Sequence, residues 1–498
     1  MKGAVPLLLL LGVFAVYVAF SPGWIWSMGY TGEELTSGER LLTIVDAHRK
    51  GVEPPPMQWS RHGLLPVLLD VPFIVTAKLL HASVDFVASF SPILWTSAIV
   101  TILFLWLRRL ASSGMSILLT LAAAFGTMLW PYAYIGLETK QSFLILSAGY
   151  WALNGKISSW LRVLLFAILC GLAISVKSTS ITLVPAVVYL LYIQFRGAWR
   201  GRRQELLASL LVIGSIWVAA ALGRAPYWKP SGGSMRNLTA LVIDSPFAYF
   251  SNLVGLFGSP TKGLFVYAPI LIFSLYAIPR ALRARRSVTT FVLLAAGGLA
   301  MGVAMFRFPA DELWGPRYLH PAIAPLILCI GIALPNLEWR SGAPIAALTA
   351  FGIAISFLGA TYNYAMAQLA ATAPAQNTAE WLVHDPVWNP IRLHQRLFGV
   401  WLDGGTAPVY WTPEHLWVWA PPPDAKPWKP VNLRDFCQPQ AAILRDWHVA
   451  QRLPVFHMAM LGIGLLSLVT AITKTVRAQE RHEYELSPAV RSSRIYAP

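Results

Sequence analysis

Apolar runs recur along this chain at a spacing that leaves short polar or basic links between them. Read at the length of about 17–20 residues that a helix needs to cross hydrocarbon, they fall at roughly 4–20, 92–107, 114–131, 140–154, 162–176, 179–195, 205–222, 263–279, 287–306, 319–335, 343–360 and 454–473. The pattern predicts an all-α integral membrane protein with about 12 transmembrane helices. The longest polar run near the start, residues 27–62, breaks this rhythm. Tyr30, Leu35, Leu41, Leu42, Ile44 and Val45 give it an apolar side, as expected of a helix lying along a membrane surface. Segment 64–81 is apolar too, but Asp70, Lys78 and two prolines are costly in hydrocarbon. It is expected as a helix or hairpin at the outer leaflet, dipping in without crossing.

Composition agrees with a membrane protein: 56% of residues are hydrophobic, 12% are charged and the mean hydropathy is +0.55. The net charge of +16 raises nucleic acid as a partner. The distribution of the bases argues against it. Arg108 and Arg109, Lys156 and Arg162, Arg196 to Arg203, Arg280 to Arg286, Arg340, and Lys474 to Arg481 all fall on one side of the predicted spans. That side is the cytoplasm by the preference of Lys and Arg for it. Counting 64–81 as a full span would place Arg108 and Arg109 outside and invert every later cluster. Three cysteines, two of them (Cys170 and Cys329) inside apolar runs, offer neither a disulfide framework nor a metal-ligand spacing. Lys2 and the apolar run behind it lack a small-x-small cleavage site, so a retained first span is expected.

The outer side then receives the unusual segments: 21–91, the turn Trp130 to Lys140, the link around Lys177, loop 223–262, and 307–318. Residues 361–453 are rich in Trp and Pro and read as an irregular cap. The expected division is a transmembrane region over 1–360, this cap over 361–453, and a last span with a basic cytoplasmic tail over 454–498. Lys177 lies between two apolar runs. Either it snorkels to the interface or its ammonium meets a phosphate there. Arg317, in W-G-P-R-Y-L-H-P, either anchors a span or offers its guanidinium fork to phosphate or carboxylate.

Three stretches carry a resemblance. They are the acidic pair in Gly32-Glu33-Glu34, the pattern W-P-Y-x-Y-x-x-x-E from Trp130 to Glu138, and G-L-A-x-x-x-K-S-T from Gly171 to Thr179. Over roughly residues 1–335 the chain resembles the GT-C superfamily of polytopic glycosyltransferases, the branch of protein O-mannosyltransferases and aminoarabinose transferases. The acidic motif of that family is usually Asp-Glu or Asp-Asp, and Glu-Glu departs from it. The resemblance implies a bacterial cytoplasmic-membrane enzyme with its active site facing outward. It would move a sugar from a polyprenyl-phosphate carrier to a lipid, glycan or protein acceptor, with membrane lipids and no nucleic acid as its other partners. It implies Glu33 or Glu34 as the base, and Glu138 orienting the acceptor or holding a divalent metal. Lys177 and Arg317 would bind the lipid phosphate, assisted by Arg61 or His62. The alternative class is a transporter or flippase of a lipid-linked or polar solute, which a dozen spans with charges among them also suit.

The orientation is open to test. Cysteines introduced into 21–62, 223–262 and 361–453 are expected to react with an impermeant thiol reagent from outside, and those in 196–204 and 280–286 are not. Outside labelling of 280–286 would invert the topology.

Overall fold

Inside hydrocarbon every backbone N–H and C=O needs an internal partner, and for a run of apolar residues the helix supplies it. A computed structural model of the chain describes residues 4–22, 30–55, 64–154, 158–195, 210–211, 213–214, 216–218, 245–305, 314–336, 339–361, 389–402, 455–495 and five two-residue strands between 406 and 432. Its main helices are α1 (Ala4–Phe20), α2 (Tyr30–Lys50), α3 (Leu64–Leu79), α4 (Phe90–Leu107), α5 (Ser113–Phe125), α6 (Leu137–Asn154), α7 (Ser159–Val176) and α8 (Val184–Phe195). They continue as α9 (Pro246–Gly258), α10 (Phe273–Ala284), α11 (Arg286–Ala304), α12 (Ile323–Ala333), α13 (Trp339–Thr361), α14 (Pro390–Leu402) and α15 (Val455–Ile495).

Among the described residues, Val84–Leu107, Arg286–Ala304, Gly342–Thr361 and Val455–Ala478 are long and apolar enough to cross a membrane. Five shorter apolar helices of 10–17 residues accompany them. Among the described residues the expected spans are not of one uniform kind, and the reasons are local. The run at 205–222 lies mostly outside the described residues. The run at 263–279 is broken into a turn at Leu264–Tyr267, a 3-10 helix at Pro269–Ile272 and the start of α10. Two more expected spans open in 3-10 form, at Ser178–Leu183 before α8 and at Arg317–Ala322 before α12. A 3-10 helix rises about 2.0 Å per residue against about 1.5 Å for an α-helix. Six such residues plus the 11 of α12 reach roughly 28 Å, close to the hydrocarbon thickness of about 30 Å.

The early polar run does form a helix, α2, which packs against α3. It starts at Tyr30, so Glu33 and Glu34 already belong to the helix. Segment 64–81 is one helix, not a hairpin, and it continues through Pro72. The turn from Trp130 to Lys140, expected on the outer side, is buried throughout. Tyr134 donates to the Tyr17 carbonyl at 3.0 Å, Trp130 Nε1 donates to the Tyr134 hydroxyl at 3.2 Å, and Tyr132 donates to the Trp314 carbonyl at 2.9 Å. These aromatics tie the turn to α1 and to the segment before Arg317.

In the C-terminal region the expected irregular cap carries regular pieces. Besides α14 there are β1 (Thr406–Ala407), β2 (Tyr410–Trp411), β3 (Leu416–Trp417), β4 (Lys426–Pro427) and β5 (Val431–Asn432). β1 pairs with β5, and β2 lies between β3 and β4, all antiparallel. Tyr, Trp and Val favour strands in an otherwise Pro-rich stretch, and Pro427 sits on an edge strand, where a missing N–H is tolerated.

Packing of α11 sets the position of the 3-10 helix Ser178–Leu183. A Cβ on Gly298 would lie 2.3 Å from the Thr182 carbonyl oxygen, and one on Gly302 would lie 2.1 Å from the Thr182 methyl carbon. The neighbouring Gly297 meets nothing within 4 Å. Gly298→Ala is thus expected to lower the melting temperature in detergent, by an overpacking cost of about 1–3 kcal/mol. Gly297→Ala is expected to leave it unchanged or raise it, since Ala favours a helix by about 1 kcal/mol over Gly. Equal melting of both variants would show that this contact does not set the turn.

Candidate active site

Three broken ends of helices converge on one carboxylate. Gly136 takes a positive φ of 99° before α6, a conformation that glycine adopts freely. The helix then starts at Leu137 with Glu138 in its first turn, where a negative charge is favoured by the helix dipole. Residues three and four apart share a helix face, so Glu138, Gln141 and Ser142 point the same way. Lys177 closes α7 in an extended conformation (φ −148°, ψ 123°) and leads into the 3-10 helix. Arg317 opens the other 3-10 helix, after Gly315 at a positive φ of 62° and Pro316. A Cβ at Gly315 would also lie 2.5 Å from Met128 Sδ.

Lys177 Nζ hydrogen-bonds Glu138 Oε1, and Arg317 Nε lies 3.4 Å from the same oxygen. The Glu138 side chain is 2% exposed, Lys177 9% and Arg317 11%. Both cations also lie over the Tyr318 ring, Lys177 at 4.3 Å and Arg317 at 4.8 Å from its centroid, within cation–π range. Two positive charges therefore meet one carboxylate. Around it, Gln141 Nε2 reaches Thr179 Oγ1 at 3.0 Å and Ser180 Oγ at 2.8 Å. Ser142 Oγ donates to the Glu138 carbonyl at 2.7 Å and lies 2.6 Å from His320 Nδ1.

A second buried ion pair stands beside the first. Lys140 Nζ meets Asp70 Oδ2 at 2.5 Å and the Pro66 carbonyl at 3.3 Å, while Ser91 donates to Asp70 Oδ1 at 2.6 Å. It joins α3 to α6 and α4. On the C-terminal side, the His394 ring lies 4.6 Å from that of Trp314, and its Nδ1–H donates to the Leu358 carbonyl at 3.0 Å. Burial holds the His394 imidazole below its usual range, at about 4.

The structure thus places Glu138, Lys177 and Arg317 in one cluster. The side chains of Glu33 and Glu34, and Arg61 and His62 entirely, lie outside the described residues. Among the described residues no group of three His, Cys, Asp or Glu side chains stands together to hold a metal ion. Glu138 Oε1 faces two cations. Sequence reading gave no role to Lys140, Gln141, Ser142 or His320 and took Asp70 only as a cost in hydrocarbon. The spacing of Gln141 and Ser142 from Glu138 was the available signal for two of them.

No family model matches the sequence, and no curated protein matches it. Among solved structures, the chain is similar to the crystal structure of ArnT from Cupriavidus metallidurans bound to undecaprenyl phosphate. The likeness covers 98% of this chain and 79% of that one, at 16% identity and a TM-score of 0.49. No residue role follows from a likeness of this strength.

The second ion pair yields a direct test. Asp70→Asn or Lys140→Met alone leaves the other charge buried without its counterion, which costs about 3–5 kcal/mol. Each single variant is expected to melt well below wild type in detergent, and the double variant to recover most of the loss. A double variant as unstable as the sum of the two would refute the coupling.

Proposed function

We propose that the protein is a glycosyltransferase of the GT-C kind. It moves a sugar from a polyprenyl-phosphate carrier to a lipid, glycan or protein acceptor on the outer face of the bacterial cytoplasmic membrane. The observation that supports this best is the convergence of Lys177 and Arg317 on the buried Glu138. An ammonium and a guanidinium held side by side are the groups that bind a phosphate, and the fixed carboxylate orients them. During transfer the bond between the sugar's anomeric carbon and the phosphate oxygen breaks, and the electron pair stays on that oxygen. Fixed cations beside it stabilise the charge as it develops. The acceptor oxygen bonds to the anomeric carbon and gives up its proton to a carboxylate, for which we assign Glu33 or Glu34. Glu138, facing both cations, acts as their positioning residue.

Purified protein supplied with radiolabelled polyprenyl-phosphate hexoses and membrane acceptors is expected to transfer label. Lys177→Ala and Arg317→Ala are each expected to lower use of the lipid donor roughly ten- to a hundredfold, the effect of losing a hydrogen bond to a charged group. Adjacent residues on a helix point in different directions. One of Glu33→Gln and Glu34→Gln, with Glu33 favoured, should therefore lose about 10²–10⁴-fold in turnover while the other stays within several-fold. Full activity in both would remove the base from this helix. Movement of lipid-linked sugar across vesicles without transfer would instead establish the transporter.

A further inference from the structure

Counting hydroxyl protons around the cluster fixes the polarity of two buried side chains. A serine hydroxyl carries one proton, and a backbone carbonyl can only accept. Ser142 gives its proton to the Glu138 carbonyl at 2.7 Å, so its oxygen must accept from His320 Nδ1–H at 2.6 Å. His320 Nε2 is then a bare lone pair, and it has no partner among the described residues. The same reasoning applies to Gln141. Ser180 gives its proton to the Ala173 carbonyl at 3.0 Å, so it accepts from the Gln141 amide at 2.8 Å, and the facing atom is nitrogen. Gln141 Oε1 is left as an acceptor, likewise without a partner among the described residues. Gln141 is fully buried and His320 is 1% exposed.

Both acceptors lie next to the ion cluster by helix geometry. Side chains three apart in a 3-10 helix eclipse one another, which puts His320 on the side of Arg317. Gln141 shares the α6 face of Glu138, and its amide lies against the turn that follows Lys177. The surroundings are therefore divided by polarity. Cations at Lys177 and Arg317 attract anionic oxygen, whereas lone pairs at Gln141 and His320 repel it and call for O–H or N–H donors. A ligand that suits both halves has an anionic phosphate joined directly to a group bearing hydroxyls.

We infer that Gln141 Oε1 and His320 Nε2 form a subsite that accepts hydrogen bonds from the hydroxyls of a glycosyl phosphate whose phosphate rests on Lys177 and Arg317. This rests on the proposed function and adds a residue-level reading of how the transferred sugar is recognised. It is a binding role, read as a preference for the sugar-bearing lipid over the bare one.

Binding of polyprenyl phosphate and of polyprenyl-phosphate glucose or mannose to the purified protein in detergent, followed by tryptophan fluorescence, tests it without requiring turnover. Wild type is expected to prefer a sugar-bearing lipid roughly tenfold or more, the effect of satisfying buried acceptors. His320→Phe and Gln141→Met should bring the ratio of the two affinities towards one, and His320→Gln, which can present an amide oxygen, should keep part of the preference. A change that merely loosens the fold lowers both affinities and leaves their ratio intact. An unaltered ratio in both variants overturns the inference. So does a wild-type ratio of one while bare polyprenyl phosphate binds, the result expected if water alone meets these acceptors; that outcome leaves the phosphate reading standing. Failure of wild type to bind any of these lipids overturns both.

Discussion

A carboxylate removed from water has to meet a cation or give up its charge, and much of this structure is arranged around that demand at Glu138. The acid lies at the start of one helix, its first cation at the end of another, and its second at the start of a third. None of the three is continuous through the site. Each gives way to an extended residue, a 3-10 turn or a glycine in the left-handed region, because a regular helix would leave these side chains on separate cylinders. The glycines of α11 and the aromatic ties around Trp130 hold the broken ends in register. Isolated, any one of these charges would cost several kcal/mol in a buried setting. Together they form a compact charged centre.

How far the sequence foretold this differs by feature. The apolar runs were legible because their length and period are set by the solvent around them, and most became helices near their expected limits. Where the runs at 179–195 and 319–335 open in 3-10 form and that at 263–279 is interrupted by it, hydropathy could not say so, since both helix types present the same side chains to lipid. Lys177 and Arg317 stood out singly as ionisable residues bordering apolar runs, and Glu138 only through the family resemblance. That they meet was not visible, because nothing in a single sequence measures the distance between Glu138 and a residue far along the chain. Asp70 was misjudged for the same reason. Read alone it was a cost to be kept near water; with Lys140 at 2.5 Å it is a buried joint between helices.

Neutral polar residues were the hardest to read. Gln141, Ser142 and His320 carry no charge signature, and serine or glutamine in a membrane helix usually bonds its own backbone. Their meaning emerges only when each proton is assigned to one partner and the remaining lone pairs are identified. The division between cations and acceptors is a property of the folded chain. It arises because two helices of different pitch, α6 and the turn at Arg317–Ala322, each repeat their side chains about every three residues.

The separation of these partners along the chain bears on how the molecule is made. Asp70 finds Lys140 70 residues later, and Glu138 finds Lys177 39 residues later. A ribosome delivers the acids first in both cases, so each passes through a period when its cation has not yet been synthesised. For Glu138 the wait ends within one helical hairpin, since α6 and α7 are consecutive and packed together. The acid and its first cation thus lie on consecutive helices, whereas Arg317 reaches the same carboxylate only after several further helices have been synthesised.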